Sequence, residues 1–195
     1  MMSLTVPNLL SILRMGLVPV FIIAVTDGKP WQALAVFLIA GITDLFDGLI
    51  ARFWHQQSRL GAYLDPMADK LLLISAYLSL SLASVASSAR IPFWVTVLVI
   101  ARDLVIVVVS LVFYLALGIT NFPPATISKI TTAAQVIAVL LVLIAGIAPG
   151  LEPVSLGGLY VVAGLTILSG LNYIVLANRM VAAKHASAGS SGAES

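Results

Sequence analysis

The sequence predicts an all-α integral membrane protein, a six-transmembrane-helix bundle around a polar cavity open to the cytoplasmic side. Three observations lead there. The 195 residues are 61% hydrophobic and only 9% charged, whereas a soluble domain is about 25% charged. The mean hydropathy is +1.11. Charges and Pro/Gly pairs cut the chain into six apolar blocks, roughly 7–27, 31–54, 61–87, 92–117, 124–148 and 154–178. Each block is about 20–27 residues, enough to cross a ~30 Å hydrocarbon core with some tilt.

The breaks justify the blocks in order. Gly28-Lys29-Pro30 separates the first from the second, and the polar stretch His55 to Arg59 separates the second from the third. Arg90 and Pro92 precede the fourth, Pro123-Pro124 the fifth, and Pro149-Gly150 the sixth. Trp31 and Trp54 bracket the second block. At 1.5 Å per residue they lie about 34 Å apart, which suits the two aromatic belts of a bilayer.

Lys and Arg set the orientation. With both termini on the cytoplasmic side, the inner segments hold Arg52, Arg59, Lys129, Arg179 and Lys184, and the outer ones Lys29 and Arg90. The pI near 9.1 therefore reflects topology rather than nucleic-acid binding. A bacterial cytoplasmic (inner) membrane is the expected location. Cysteine is absent, which excludes thiol chemistry and a disulfide framework. No charged region precedes the first apolar block, so that block does not read as a signal peptide. Residues 1–184 form one domain with no visible repeat. Residues 185–195, rich in Ser, Gly and Ala, are expected to be a disordered tail.

The chain has eight acidic residues, and four of them, Asp44, Asp47, Asp65 and Asp69, fall inside or beside apolar runs. An Asp at a membrane-helix centre costs about 2.5–3.5 kcal/mol, so four lipid-facing copies would cost on the order of 10 kcal/mol. They must face a polar cavity or a bound cation. Asp44 and Asp47 are i and i+3 on the second helix, and Asp65 and Asp69 are i and i+4 on the third, so each pair shares a face. The short polar reversal makes the two helices antiparallel neighbours whose acidic faces meet at one level. Carboxylates gathered in a small volume need a counter-charge, and oxygen-only ligands select hard cations such as Mg²⁺ or Mn²⁺. The cluster is large enough for two ions.

Small residues belong to the same pattern. Gly48, Ala51 and Gly61 remove side chains where a ligand or a neighbouring backbone comes close. Arg52, one turn beyond Gly48, can hold a phosphate bidentately, and Ser58 can add a hydroxyl. Carboxylates, divalent metal, an arginine and room for a ligand describe phosphoryl transfer. The plainer reading is a set of structural ion pairs, Asp44 with Arg52 and Asp69 with Lys70. It accounts for one pair better than for four carboxylates on two facing helices.

The stretch reads D-x2-D-G-x2-A-R-x8-G-x3-D-x3-D, with eight fixed positions filled across the 26 residues from Asp44 to Asp69. This resembles the signature of the CDP-alcohol phosphatidyltransferases. The opening Val6-Pro7-Asn8-Leu9-Leu10-Ser11-Ile12-Leu13-Arg14 is similar to the first helix of that family, and the six-helix plan fits. The resemblance implies transfer of a phosphatidyl group from CDP-diacylglycerol to an alcohol, with CMP released. It implies that Asp44, Asp47, Asp65 and Asp69 bind two divalent ions, Mg²⁺ or Mn²⁺. Asn8, Gly48, Arg52 and Ser58 then contact the donor, with Ala51 and Gly61 leaving space for it. Asp69 is the implied general base, taking the proton of the acceptor hydroxyl. Related enzymes are commonly homodimers.

The resemblance is to the branch holding cardiolipin synthases and phosphatidylglycerophosphate synthases. Ala101-Arg102-Asp103 and Ile127-Ser128-Lys129 lean toward cardiolipin synthase, since the glycerol-phosphate enzymes tend to read Arg-Glu and Gly-Lys there. The acceptor is then phosphatidylglycerol, with glycerol 3-phosphate as the alternative. Both are anionic. Arg102 and Lys129 are candidates to bind such an acceptor; their plainer roles are an interhelical pair and snorkelling to the surface. Arg14 shares the broad face of Asn8 and Ser11; it can border the donor site and is a third candidate for the acceptor, with snorkelling as its plainer role. Asp103, adjacent to Arg102, is expected to point elsewhere on the helix. Ser128, Thr131, Thr132 and Gln135 form a polar stripe that reads as interhelical glue. His55 and His185 have no spaced partner and do not make a metal pair.

Two other classes compete. An intramembrane prenyl transferase also uses Asp clusters and Mg²⁺, but its usual Asn/Asp-rich motif is missing. An ion transporter carries intramembrane acids near mid-bilayer, often in repeated halves. Here the acids cluster toward one surface.

Overall fold

Six α-helices and one 3₁₀ turn make up the described part of the computed structural model. It describes residues 6–53, 61–82, 90–117 and 126–191, with side chains described over 9–44, 67–82, 90–109 and 127–173 and at 175. The helices are α1 (Val6–Thr26), α2 (Pro30–Phe53), α3 (Gly61–Leu82), α4 (Phe93–Leu117), α5 (Thr126–Ile147) and α6 (Glu152–Ser191), with the 3₁₀ turn at Pro149–Leu151. They coincide with the six apolar blocks, and no strand occurs among the described residues.

The ends have local causes. α1 stops where Gly28 adopts a left-handed φ of 68°, a conformation glycine takes without penalty. Gly28 N donates to Val25 O at 3.1 Å and Lys29 N to Ala24 O at 3.0 Å, closing the last turn. Pro30 then opens α2, where its missing N–H costs nothing. α6 begins at Glu152, an acid in the first turn, favourable at the positive end of the helix dipole. α6 continues as helix to Ser191, past residue 185, where the composition had indicated a tail. Two alanines there, Ala186 and Ala188, are strong helix formers.

α1 packs against both α2 and α3, α5 against α6 and α2, and α4 against α6. The packed interior is made from small residues and a few rings. Ala24, Ala33, Ala40, Ala76, Ala138 and Ala145 are buried among Phe21, Phe37, Tyr77, Val95, Val139, Val142 and Leu159. Small side chains let membrane helices approach closely, so dispersion contacts can hold them. Phe21 of α1 and Phe37 of α2 add a tilted ring pair with centroids 5.8 Å apart.

The radial pattern is that of a protein in lipid. Leu9, Ile23, Trp31, Leu104, Val161 and Leu168 are exposed, while Ser11, Arg14, Arg102, Thr131, Gln135, Thr166 and Ser169 are buried. Water would favour the reverse. Among the described residues, three stretches are long and apolar enough to cross a membrane: Leu9–Thr26, Ile127–Ile147 and Pro149–Tyr173. Pro30–Asp44 is a shorter apolar run. Interhelical hydrogen bonds knit the interior. Thr96 Oγ1 donates to Tyr77 O at 3.3 Å, Tyr77 OH to Gln135 O at 3.3 Å, and Thr131 Oγ1 to Leu165 O at 3.4 Å. The polar stripe on α5 thus serves in part as glue.

Candidate active site

Arg14 lies near the middle of α1, which packs against α2 and α3 together. Its guanidinium reaches an acid on each. Nη1 lies 3.0 Å from Asp44 Oδ1, and the same nitrogen donates to Asp69 Oδ1. The Arg14 side chain is 1% exposed, whereas Asp44 and Asp69 are 44% and 49% exposed. The cation is therefore enclosed in the bundle, and the two carboxylates open outward. They converge as the sequence pattern requires, with α1 supplying the counter-charge. Snorkelling by Arg14 is overturned, since a side chain this buried does not reach the surface.

The carboxylates open into a cavity of about 560 Å³. Arg14, Asp44, Asp69, Lys70, Arg102, Asp103, Ser128 and Thr132 supply its polar wall, and Phe37, Leu72, Ile106, Val136 and Leu140 part of its apolar wall. Five helices contribute. A cavity with a few convergent polar groups and a large apolar surface suits an amphiphilic ligand.

A second ionic cluster lines the same cavity. Arg102 of α4 is buried. Its Nη2 donates to Ser169 Oγ and to Ser128 Oγ, both at 2.7 Å, and its Nη1 to Asp103 Oδ1 at 2.8 Å. Asp103 Oδ2 is in turn 3.6 Å from Lys70 Nζ. This chain links α3, α4, α5 and α6. The expectation that Asp103 is a poor partner for Arg102 is corrected here. Adjacent residues leave a helix about 100° apart, but the long arginine stem folds back far enough for its terminal nitrogen to meet the neighbouring carboxylate. The plain pairing of Asp69 with Lys70 gives way to Asp69 with Arg14 and Lys70 with Asp103.

Of the sequence candidates, the structure brings Arg14, Asp44, Asp69 and Arg102 to one cavity. Lys129 is exposed and stands outside the cavity wall, although its neighbour Ser128 is part of it. Lys70 lines the cavity and was not among the candidates; its place directly after Asp69 was the available signal. Asn8, Asp47, Gly48, Ala51, Arg52, Gly61 and Asp65 have helical backbones, but their side chains lie outside the described residues, as does Ser58 altogether.

Asp44 and Asp69 offer carboxylate oxygens, the ligand type of a hard divalent cation, and both engage the Arg14 nitrogen; among the described residues no group of three or more acidic or histidine side chains gathers. Mg²⁺ and Mn²⁺ take such oxygens.

Comparison with known proteins gives the family. The family model described as CDP-alcohol phosphatidyltransferase matches residues 4–169. The cardiolipin synthase (CMP-forming) of Rattus norvegicus is 39% identical over 153 residues, covering 69% of this chain and 48% of the relative. The chain thus spans about half the length of that synthase. A probable phosphatidylglycerophosphate synthase of Mycobacterium tuberculosis is 34% identical over 181 residues, covering 88% of this chain and 81% of the relative. The CDP-diacylglycerol–glycerol-3-phosphate 3-phosphatidyltransferase of Shigella flexneri is 33% identical over 183 residues, covering 89% and 94%. With the signature from Asp44 to Asp69 and a family match over most of its length, the chain belongs to the CDP-alcohol phosphatidyltransferase family.

Proposed function

We propose that this chain transfers the phosphatidyl group of CDP-diacylglycerol to the hydroxyl of an anionic alcohol, releasing CMP, with phosphatidylglycerol as acceptor and cardiolipin as product. The observation that carries this reading is the convergence of Asp44 and Asp69, from two helices, at a cavity that Arg102 and Lys70 also line. The carboxylates can bind a cation, and the basic side chains an anion.

Asp44, Asp47, Asp65 and Asp69 would hold two Mg²⁺ or Mn²⁺ ions. When bound, the ions supply positive charge against the donor diphosphate and the departing CMP. Asn8, Gly48, Ala51, Arg52, Ser58 and Gly61 would frame that donor. Asp69 accepts the proton of the acceptor hydroxyl as its oxygen bonds to the phosphorus bearing diacylglycerol. The bond from that phosphorus to the CMP oxygen breaks, and CMP leaves with the electron pair. Arg102, fixed in orientation by Ser128, Ser169 and Asp103, presents positive charge to the acceptor phosphate. Lys70 adds to it, and Lys129 attracts the acceptor from the exposed side of α5. The apolar cavity wall takes the first carbons of the lipid chains. All six helices cross the membrane, and both termini and the cavity mouth face the cytoplasm.

Product identity tests the reading. Purified protein in phosphatidylglycerol-containing nanodiscs is given CDP-diacylglycerol, Mn²⁺ and glycerol 3-phosphate, and the lipids are resolved by mass spectrometry. Cardiolipin is expected. Phosphatidylglycerophosphate alone would replace the acceptor with glycerol 3-phosphate, the reaction named for the Shigella relative. Neither product, from folded protein, would overturn the reading.

A further inference from the structure

The Arg14 bridge has a consequence for the order in which the site fills. Both carboxylates direct Oδ1 at the same guanidinium nitrogen, 3.0 Å away for Asp44. Arginine stays protonated in proteins, and at 1% exposure this side chain cannot retreat to water. Mg²⁺ sits about 2.0–2.1 Å from its oxygen ligands. An ion bound by these two oxygens would sit close to the guanidinium that engages the same atoms, and the two positive groups would repel each other at short range.

We propose that Arg14 is a built-in counter-cation that competes with the divalent metal for Asp44 and Asp69. Without metal it neutralises the two acids and joins α2 and α3 through α1. Metal loading displaces its Nη1 from their oxygens, and the guanidinium, still at the cavity wall, becomes available to the donor diphosphate. Metal and nucleotide-lipid binding are thereby coupled, each favouring the other. The inference rests on the metal-dependent reading above and adds a defined role for Arg14.

Mn²⁺ binding to the full-length chain in nanodiscs, followed by electron paramagnetic resonance without any donor lipid, provides the test. Arg14→Gln removes the competitor and its charge. It should tighten Mn²⁺ binding on the order of tenfold, lower the melting temperature of the metal-free protein, and enlarge the rise in melting temperature that Mn²⁺ produces. An unchanged or weakened Mn²⁺ affinity would overturn the competition. Should Arg14→Gln fail to fold, structures of the wild-type protein with and without Mn²⁺ decide. The Arg14–Asp44 separation should exceed 4 Å with the ion present, and a bridge retained beside bound Mn²⁺ would refute the proposal. Wild-type protein that binds no Mn²⁺ would remove the metal reading as well, whereas binding with no gain in the variant removes only the role of Arg14.

Discussion

Arg102 donates to Ser169 through Nη2 at 2.7 Å, joining α4 to α6. The same nitrogen holds Ser128 of α5, and Nη1 holds Asp103. A buried guanidinium fixed on three sides is an oriented charge, which is what recognition of an anionic acceptor needs.

Arg102→Lys keeps the charge and loses the fork. It should raise KM for the acceptor roughly tenfold, since one or two charge-assisted hydrogen bonds are lost, while KM for CDP-diacylglycerol moves little. Steady-state kinetics with each substrate varied in turn checks this. Equal effects on both KM values would indicate a general structural role.

Asp69→Asn replaces an acceptor-only carboxylate with an amide that cannot take the proton. Turnover should fall roughly 10²- to 10⁴-fold, with the α-helical circular dichroism spectrum retained. Near-normal turnover in folded protein would remove Asp69 as the base.

Ala76 is fully buried on α3 within the packed core. Ala76→Leu should destabilise the bundle by about 1–3 kcal/mol through overpacking, read as a lower melting temperature in detergent. A variant as stable as the wild type would mean the helices pack less closely here than the structure indicates.

Truncation after Lys184 leaves every cavity-lining residue in place. Specific activity should stay within about twofold of the full chain, as for changes that touch no residue of the site. A larger loss would assign the last eleven residues a role in the site.

The helices were legible because hydropathy and breakers are local. Gly28 and Pro30 end one helix and begin the next by backbone geometry alone. The meeting of Asp44 with Asp69 was legible from period and membrane cost, since few polar faces are tolerable in lipid. Arg14 was harder to place. Its spacing suggests the helix face it occupies, but its pairing with two acids depends on how α1 is rotated and where it sits against α2 and α3, which no local pattern encodes. Arg102 with Asp103 was misread for a different reason. Direction at Cβ is set by the helix, whereas a long side chain has enough torsions to reverse it at the tip. Lys70 was overlooked as a cavity residue because its nearest acid in sequence, Asp69, offered a simpler partner than Asp103.

The central claim is that acids from α2 and α3 bind divalent ions that permit cleavage of a nucleotide-activated lipid. CMP released from CDP-diacylglycerol by the purified chain, with phosphatidylglycerol supplied, measures it directly. Release should require Mg²⁺ or Mn²⁺, stop in excess chelator and return when the ion is restored. Full-rate CMP release in excess chelator would contradict it.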